Sequence, residues 1–224
     1  MATLLHIDTA TEFAVVGFSK DGKLLGQKKN AEQQQHASFL QPSIQSLSNE
    51  LDLSLHEIDA VVVSNGPGSY TGLRVGLASA KGICFALAKP LITLNTLQVM
   101  AHASRKVFPE AGCFCPMIDA RRMEVFTGVY DQQLNTVLPV QAMILEANSF
   151  TDILNEQVVV FTGSGQEKFG QICKHQNARF AALEHDVTDI LPLAEQAFVN
   201  QQFADLAYAE PFYSKAFYTT QQKK

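Results

Sequence analysis

Residues 60–72 read Ala60-Val61-Val62-Val63-Ser64-Asn65-Gly66-Pro67-Gly68-Ser69-Tyr70-Thr71-Gly72. The opening run, residues 60–63, is apolar and β-branched without alternation, as in a strand buried on both faces. A Gly- and Pro-rich loop over residues 65–72 then feeds a helix of about four turns ending near Ala88. A buried strand that passes through a tight loop into a helix is the half-unit of a layered α/β fold.

Upstream, strands are expected at residues 3–7, 13–18 and 23–27. Asp21-Gly22 between the last two is a hairpin turn signal. Between about residues 32 and 51, Ala37, Leu40, Ile44, Leu47 and Leu51 recur at three- and four-residue steps, which is an amphipathic helix. Ser54-Leu55-His56-Glu57 has the form of a capping box. Downstream, Pro90 opens a strand over 91–94, and a helix follows over 96–108. A hairpin-led meander with later crossovers predicts a mixed sheet with helices on its faces.

The second part is less regular. Strands are expected at 113–118, 125–130, 137–145, 158–162 and 180–183, and helices at 149–156, 166–176 and 188–203. The tail from Ala209 ends in polar residues and is expected to fray. No low-complexity linker separates the parts, so they are expected to pack as lobes, residues 1–105 and 106–224. Their strand-rich openings suggest one motif used twice.

The chain has 224 residues and a formal net charge of -5. A chain of this size buries enough surface to need no disulfide or metal staple. Of 17 basic and 22 acidic residues, eight of each lie up to Arg105, so the acidic excess is in the C-terminal part. Neither part is basic, which disfavours a protein that grips nucleic acid unaided. No secretory signal opens the sequence and no apolar run is long enough to span a membrane. The four cysteines form no C-x-x-C pair, and reduced structural thiols in a cytoplasmic protein are expected.

Chemistry has four candidate places. Asp8-Thr9-Ala10-Thr11 closes the first strand, where a carboxylate and hydroxyls suit a metal or phosphate, although a phosphate turn favours Gly where Ala10 stands. The Gly66–Gly72 loop is neither a Walker loop nor a dinucleotide fingerprint nor a nucleophile elbow. Ser69 or Thr71 is placed to cap the following helix. In that helix Gly72, Gly76 and Ala80 form one small-residue row and Ala78, Gly82 and Ala86 another, with Arg74 and Lys81 its charged residues. Interior glycines cost about 1 kcal/mol each relative to alanine, so they need a packing reason. A close helix contact is expected, either with the 32–51 helix or with another chain. His36 lacks a second ligand at i+3 or i+4, where Phe39 and Leu40 stand, so no metal site is expected. Ile118-Asp119-Ala120-Arg121-Arg122-Met123-Glu124-Val125 connects two strands, and its charges suit a turn or a polar interface.

Taken together these segments resemble the TsaB (YeaZ) family. The carriers are Ile7-Asp8-Thr9-Ala10-Thr11-Glu12, His36-Ala37-Ser38 with Leu40 and Pro42, and the segment from Gly66 through Arg74 to Gly76. Ile118-Asp119-Ala120-Arg121 with Glu124-Val125, and Pro211-Phe212-Tyr213, add to them. The resemblance covers the whole chain, densely to about Leu97. It implies the actin-like, sugar-kinase and Hsp70 ATPase fold, with two ribonuclease-H-like lobes of which the C-terminal one is reduced. It implies a role in placing threonylcarbamoyl on N6 of the adenosine 3′ of the anticodon, in tRNAs reading codons that begin with A. There the metal-bearing paralogue TsaD transfers the group, a TsaB-like chain is its non-catalytic partner, and the ATPase TsaE joins them. The resemblance further implies a homodimer of the free chain through the surface TsaD would use, and tRNA contact through the complex.

With that resemblance, helices 32–51 and 71–88 become the expected partner-binding elements. Ala37, Leu40, Ile44, Leu47, Gly72, Gly76 and Ala80 are expected at the contact, with His36 and Arg74 on its rim. Gly76→Leu is then expected to abolish pairing without unfolding the chain. Asp8, Thr9, Thr11, Ser69 and Thr71 are expected to form a vestigial phosphate or nucleotide site. No cofactor of the chain's own is implied, and ATP or ADP is expected, if anywhere, at the joint with TsaD. The rival readings are an ATP-dependent kinase or ATPase with Asp8 holding magnesium, and a metallohydrolase or protease-like activity.

Overall fold

The computed structural model describes residues 2–32 and 35–215. Strands β1 (Thr3–Asp8), β2 (Ala14–Lys20) and β3 (Lys23–Asn30) form an antiparallel meander. Asp21 and Gly22 both have positive φ, 52° and 72°, the mirror-image turn whose twist matches paired strands. Helix α1 (His36–Glu50) follows. Ser54 then caps a single 3-10 turn, and the Glu57 carboxylate accepts from the Ser54 N–H. Strand β4 (Ala60–Gly66), helix α2 (Tyr70–Leu87) and strand β5 (Leu91–Asn95) complete a sheet of order β3-β2-β1-β4-β5, with β4 and β5 running parallel to β1.

Helix α3 (Thr96–Val107) leads into a second set of the same kind. Its elements are β6 (Cys113–Asp119), β7 (Glu124–Asp131), β8 (Thr136–Ile144), α4 (Thr151–Glu156), β9 (Val159–Thr162), α5 (Gln166–Ile172) and β10 (Ala178–Ala181). Read from β8, this sheet has the order β8-β7-β6-β9-β10, with β7 antiparallel to both its neighbours and β9 and β10 parallel to β6. Order and strand directions repeat those of the first sheet. The chain therefore has the expected two-lobe α/β fold, with one five-stranded motif used twice.

Each lobe is a sheet with apolar cover on both faces. Leu40, Ile44 and Leu47 lie on one face of α1. With Leu77 and Ala80 of α2 they bury Leu5, Ile7, Val16, Phe18, Val61 and Val63. The opposite face, Leu4, Val15, Val62 and Ile92, is covered by Val187, Ile190, Leu191 and Ala194 of α6 (Val187–Val199). Residue 105 thus falls between the two sheets, but the C-terminal residues do not all stay with the second lobe. Residues 204–213 also return to the first. Ala204 bridges to Leu91, Lys81 Nζ donates to the Ala207 and Ala209 carbonyls, and the Phe212 N–H donates to the Asn65 carbonyl. The cause is burial, because without α6 the second face of the first sheet would lie open to water. The polar end of the tail, residues 219–224, lies outside the described residues.

Candidate functional site

The turn after β1 is closed, not open. The Asp8 carboxylate is 1% exposed. Its Oδ1 accepts the Ala10 N–H at 2.9 Å, and its Oδ2 accepts the Ser64 hydroxyl at 2.7 Å and His185 Nε2 at 2.9 Å. Burial by itself would raise the Asp8 pKa. The hydrogen bond and charge of His185, helped by Ala10 and Ser64, hold it below the ordinary aspartate value. Burial likewise opposes a charge on His185, yet Asp8 keeps its pKa above the ordinary histidine value. The two form a buried ion pair that joins β1 to the segment entering α6.

The Gly66–Gly72 loop lies directly on this turn. The Ser69 N–H donates to the Ala10 carbonyl at 2.7 Å, and the Thr9 hydroxyl to the Gly72 carbonyl at 2.7 Å. A Cβ on Gly72 would stand 2.0 Å from the Thr9 carbonyl oxygen, and one on Gly68 would stand 2.1 Å from that of Ala10. The glycines therefore serve close backbone approach within the chain. Asp8, Thr9 and Thr11 are buried, and the loop is bonded to the turn through the Ser69 N–H and the Gly72 carbonyl. Of the five residues expected at a phosphate site, these three are buried at the turn, whereas Ser69 and Thr71 line a cavity.

Ser69 and Thr71 line an open cavity of about 530 Å³, together with His36, Ala37, Gly72, Asp119 and Arg121. The Ser69 hydroxyl caps α2 by accepting from the Gly72 N–H. Arg121 and Arg122 are consecutive residues at positive φ, 73° and 49°. That turn is held by the Arg121 N–H to Asp119 Oδ1 and by Lys168 at 3.0 Å from Asp119. Sequence reading noted the Asp119–Arg122 segment as a turn but had no signal that β6 would carry it to the start of α2. His36 is 3% exposed, its Nε2 lies 3.3 Å from the Glu12 carbonyl, and its Nδ1 has no partner. Burial lowers its pKa.

The helix face also differs from expectation. Leu40, Ile44, Leu47 and Ala80 are at most 3% exposed and belong to the chain's own core. Gly72 and Gly76 are buried against Thr9, and a Cβ on Gly76 would lie 2.4 Å from its hydroxyl. His36 sits beneath the β1–β2 turn instead of on a rim. These seven are therefore not surface contacts, and Gly76→Leu would disturb the fold before any partner. Of the expected contact residues, Ala37 and Arg74 are exposed.

The outward row of α2 is the other one. Arg74, Ala78, Gly82 and Ala86 are exposed at four-residue steps, a Cβ on Gly82 would meet nothing within 4 Å, and Phe85 is 82% exposed. Val75 and Ile83 are half-buried between this row and α1. Arg74 lies 4.0 Å from the Tyr70 ring centre and its Nε donates to the Tyr213 hydroxyl at 3.0 Å. Among the described residues no cluster of His, Cys, Asp or Glu could hold a metal ion, and no helix is long and apolar enough to cross a membrane.

A family model described as TsaD, tRNA N6-adenosine threonylcarbamoyltransferase, matches residues 25–220. The tRNA threonylcarbamoyladenosine biosynthesis protein TsaB of Escherichia coli is 28% identical over 94% of this chain and 93% of its own length. The protein of the same name from Bacillus subtilis is 30% identical over 64% of this chain and 62% of its own length. The solved structure of YeaZ from Pseudomonas aeruginosa superposes with a TM-score of 0.79 at 28% identity, covering 95% of this chain and all of that one. The chain belongs to the TsaD family of threonylcarbamoyltransferase-related proteins and, within it, to the TsaB/YeaZ branch.

Proposed function

We propose that this chain acts in threonylcarbamoyladenosine formation on tRNA as the non-catalytic partner of a TsaD-like transferase. One observation carries the reading. α2 presents a row of small residues, Ala78, Gly82 and Ala86, beside a phenyl ring left 82% exposed at Phe85. Glycine on an exposed helix gains nothing from its own fold and costs about 1 kcal/mol relative to alanine. An apolar strip with a large exposed ring suits another helix packed closely against it. The same face would serve a homodimer when the transferase is absent. A TsaE-like ATPase would join the assembled pair, and tRNA would be held by the complex, since this chain carries a net charge of -5.

A nucleotide is best accommodated at the joint. The cavity of Ser69, Thr71, Arg121 and the α2 N-terminus adjoins the face, so the phosphates of ATP or ADP would meet this chain there and not at Asp8. A kinase or ATPase using Asp8 for magnesium would first have to break the His185 and Ser64 hydrogen bonds. The cytoplasm, where tRNA is modified, is the proposed location.

Co-expression with the TsaD-like transferase of the same host tests the reading. The wild-type chain is expected to co-purify in near-equal amount, and Phe85→Asp to be recovered folded but alone. Recovery of the wild-type chain alone, with ATP or ADP present, would overturn it.

A further inference from the structure

The outward row of α2 has two flanks. Val75 and Ile83 lie on the flank toward α1. Lys81, two positions from Ile83, points to the opposite flank, because each helical position turns by about 100°. Its Nζ donates to the Ala207 carbonyl at 3.2 Å and the Ala209 carbonyl at 3.0 Å, which clasps a turn of the C-terminal segment against the helix. That turn is fixed from several directions. Asp205 Oδ1 accepts the N–H groups of Ala207 and Tyr208, and the Ala209 N–H donates to the Asp205 carbonyl. Leu206 and Ala209 pack against the core beneath α2, and Ala204 bridges to Leu91.

Tyr208, between the two clasped carbonyls, is nevertheless 83% exposed. Phe85, one turn beyond Lys81 on the same strip of α2, is 82% exposed. Among the described residues these are the two most exposed large apolar side chains, and both are placed by one lysine. Such a pairing of bare rings marks a contact surface.

Area decides whether α2 can serve alone. Its 18 residues make a helix about 27 Å long, and a strip about 10 Å wide along it offers roughly 300 Å². A stable pair buries about 800 Å² on each partner, so a chain docked on α2 must also touch a flank. Exposed positions of α1 are small or polar, Ala37, Gln41, Gln45 and Asn49 among them. The other flank offers a tyrosine on a rigid turn. Aromatic anchors on preorganised backbone carry much of an interface's energy, since little order remains to be imposed on them.

We propose, resting on the partner reading, that the face receiving the TsaD-like transferase is composite: the outward strip of α2 together with the 205–209 turn, with Phe85 and Tyr208 as two ring anchors around Lys81. The partner it fits presents a helix that lies along Ala78 and Gly82 and apolar side chains that cover both rings.

Calorimetric titration of the purified transferase of the same host into the full chain tests it, with Tyr208→Ser, Tyr208→Phe and Phe85→Asp beside the wild type. The wild type is expected to bind and Phe85→Asp to lose binding. Tyr208→Ser is expected to bind roughly tenfold more weakly or worse, with its unfolding midpoint unchanged. Tyr208→Phe, which keeps the ring, should bind as the wild type does. Wild-type affinity in Tyr208→Ser, with Phe85→Asp defective, would overturn the composite face and leave the α2 reading standing. Absence of binding by the wild type would overturn both. If Tyr208→Ser kept its affinity for the transferase but lost self-association in sedimentation, the turn would belong to a contact between copies of this chain, and the proposal would fail.

Discussion

His185 Nε2 meets Asp8 Oδ2 at 2.9 Å, across 177 positions of sequence and with both side chains at most 8% exposed. A carboxylate at a strand end suits a metal ion or a phosphate turn only while it is free. Here it is neutralised from within. The pair also ties the entry of α6 to β1, so the segment that covers the back of the first sheet is anchored by it.

Removing one member of such a pair leaves the other buried without a counter-charge. His185→Ala and Asp8→Ala are each expected to cost roughly 3–5 kcal/mol. Urea unfolding at neutral pH checks this. A loss below about 1 kcal/mol for either would mean the pair is not formed.

The pair also sets a pH window. His185 has a raised pKa in the fold, so its contribution is complete below its ordinary value of 6.5 and is lost as pH rises through the raised value. Asp8 has a lowered pKa, so its contribution is present above its ordinary value of 3.8 and is lost as pH falls through the lowered value. Stability from the pair is thus greatest between about pH 4 and pH 6.5. Denaturation midpoints followed across pH should decline on the alkaline side in the wild-type chain, and that part of the decline should vanish in His185→Gln.

Glycines of α2 separate into two kinds. Gly72→Ala would drive a methyl to 2.0 Å from the Thr9 carbonyl and is expected to destabilise by roughly 3 kcal/mol. Gly82→Ala meets open space and should stabilise the isolated chain by up to about 1 kcal/mol. Thermal or urea unfolding of the two variants gives opposite signs if the faces are assigned correctly.

The cysteines give an independent check on the core. Burial pushes the thiols of Cys84 and Cys113 up to about 11 and that of Cys115 up to about 12. As the thiolate is the reactive form, these three should resist a thiol reagent at pH 8 in the native chain and react at once in denaturant. Rapid labelling of Cys115 in the native chain would contradict its place beside Thr127 inside the second sheet.

Much of the fold was legible because strand and helix periods are local. The run 60–63, the Asp21-Gly22 turn and the apolar steps of α1 each signal their element without reference to the rest. The site was less so. Sequence showed that Gly72, Gly76 and Ala80 must touch something closely, but for the two glycines that something is the carbonyl and hydroxyl of Thr9, more than sixty residues earlier, and for Ala80 it is the chain's own core. Periodicity reports which residues share a face, not whether the face looks inward or outward. The row that faces out, Ala78, Gly82 and Ala86, was equally visible but not told apart from the inner one. His185 carried no signal, because its role exists only once α6 folds back over the first sheet.

The central claim is that the outward face of α2 receives the TsaD-like transferase. Calorimetric titration of that transferase into the wild-type chain and into Gly82→Trp tests it most directly, with unfolding midpoints measured beside it. The account predicts binding by the wild type and a loss of roughly tenfold or more in Gly82→Trp, about 1.4 kcal/mol or beyond, with the midpoint unchanged. Equal affinity of the two chains would contradict it.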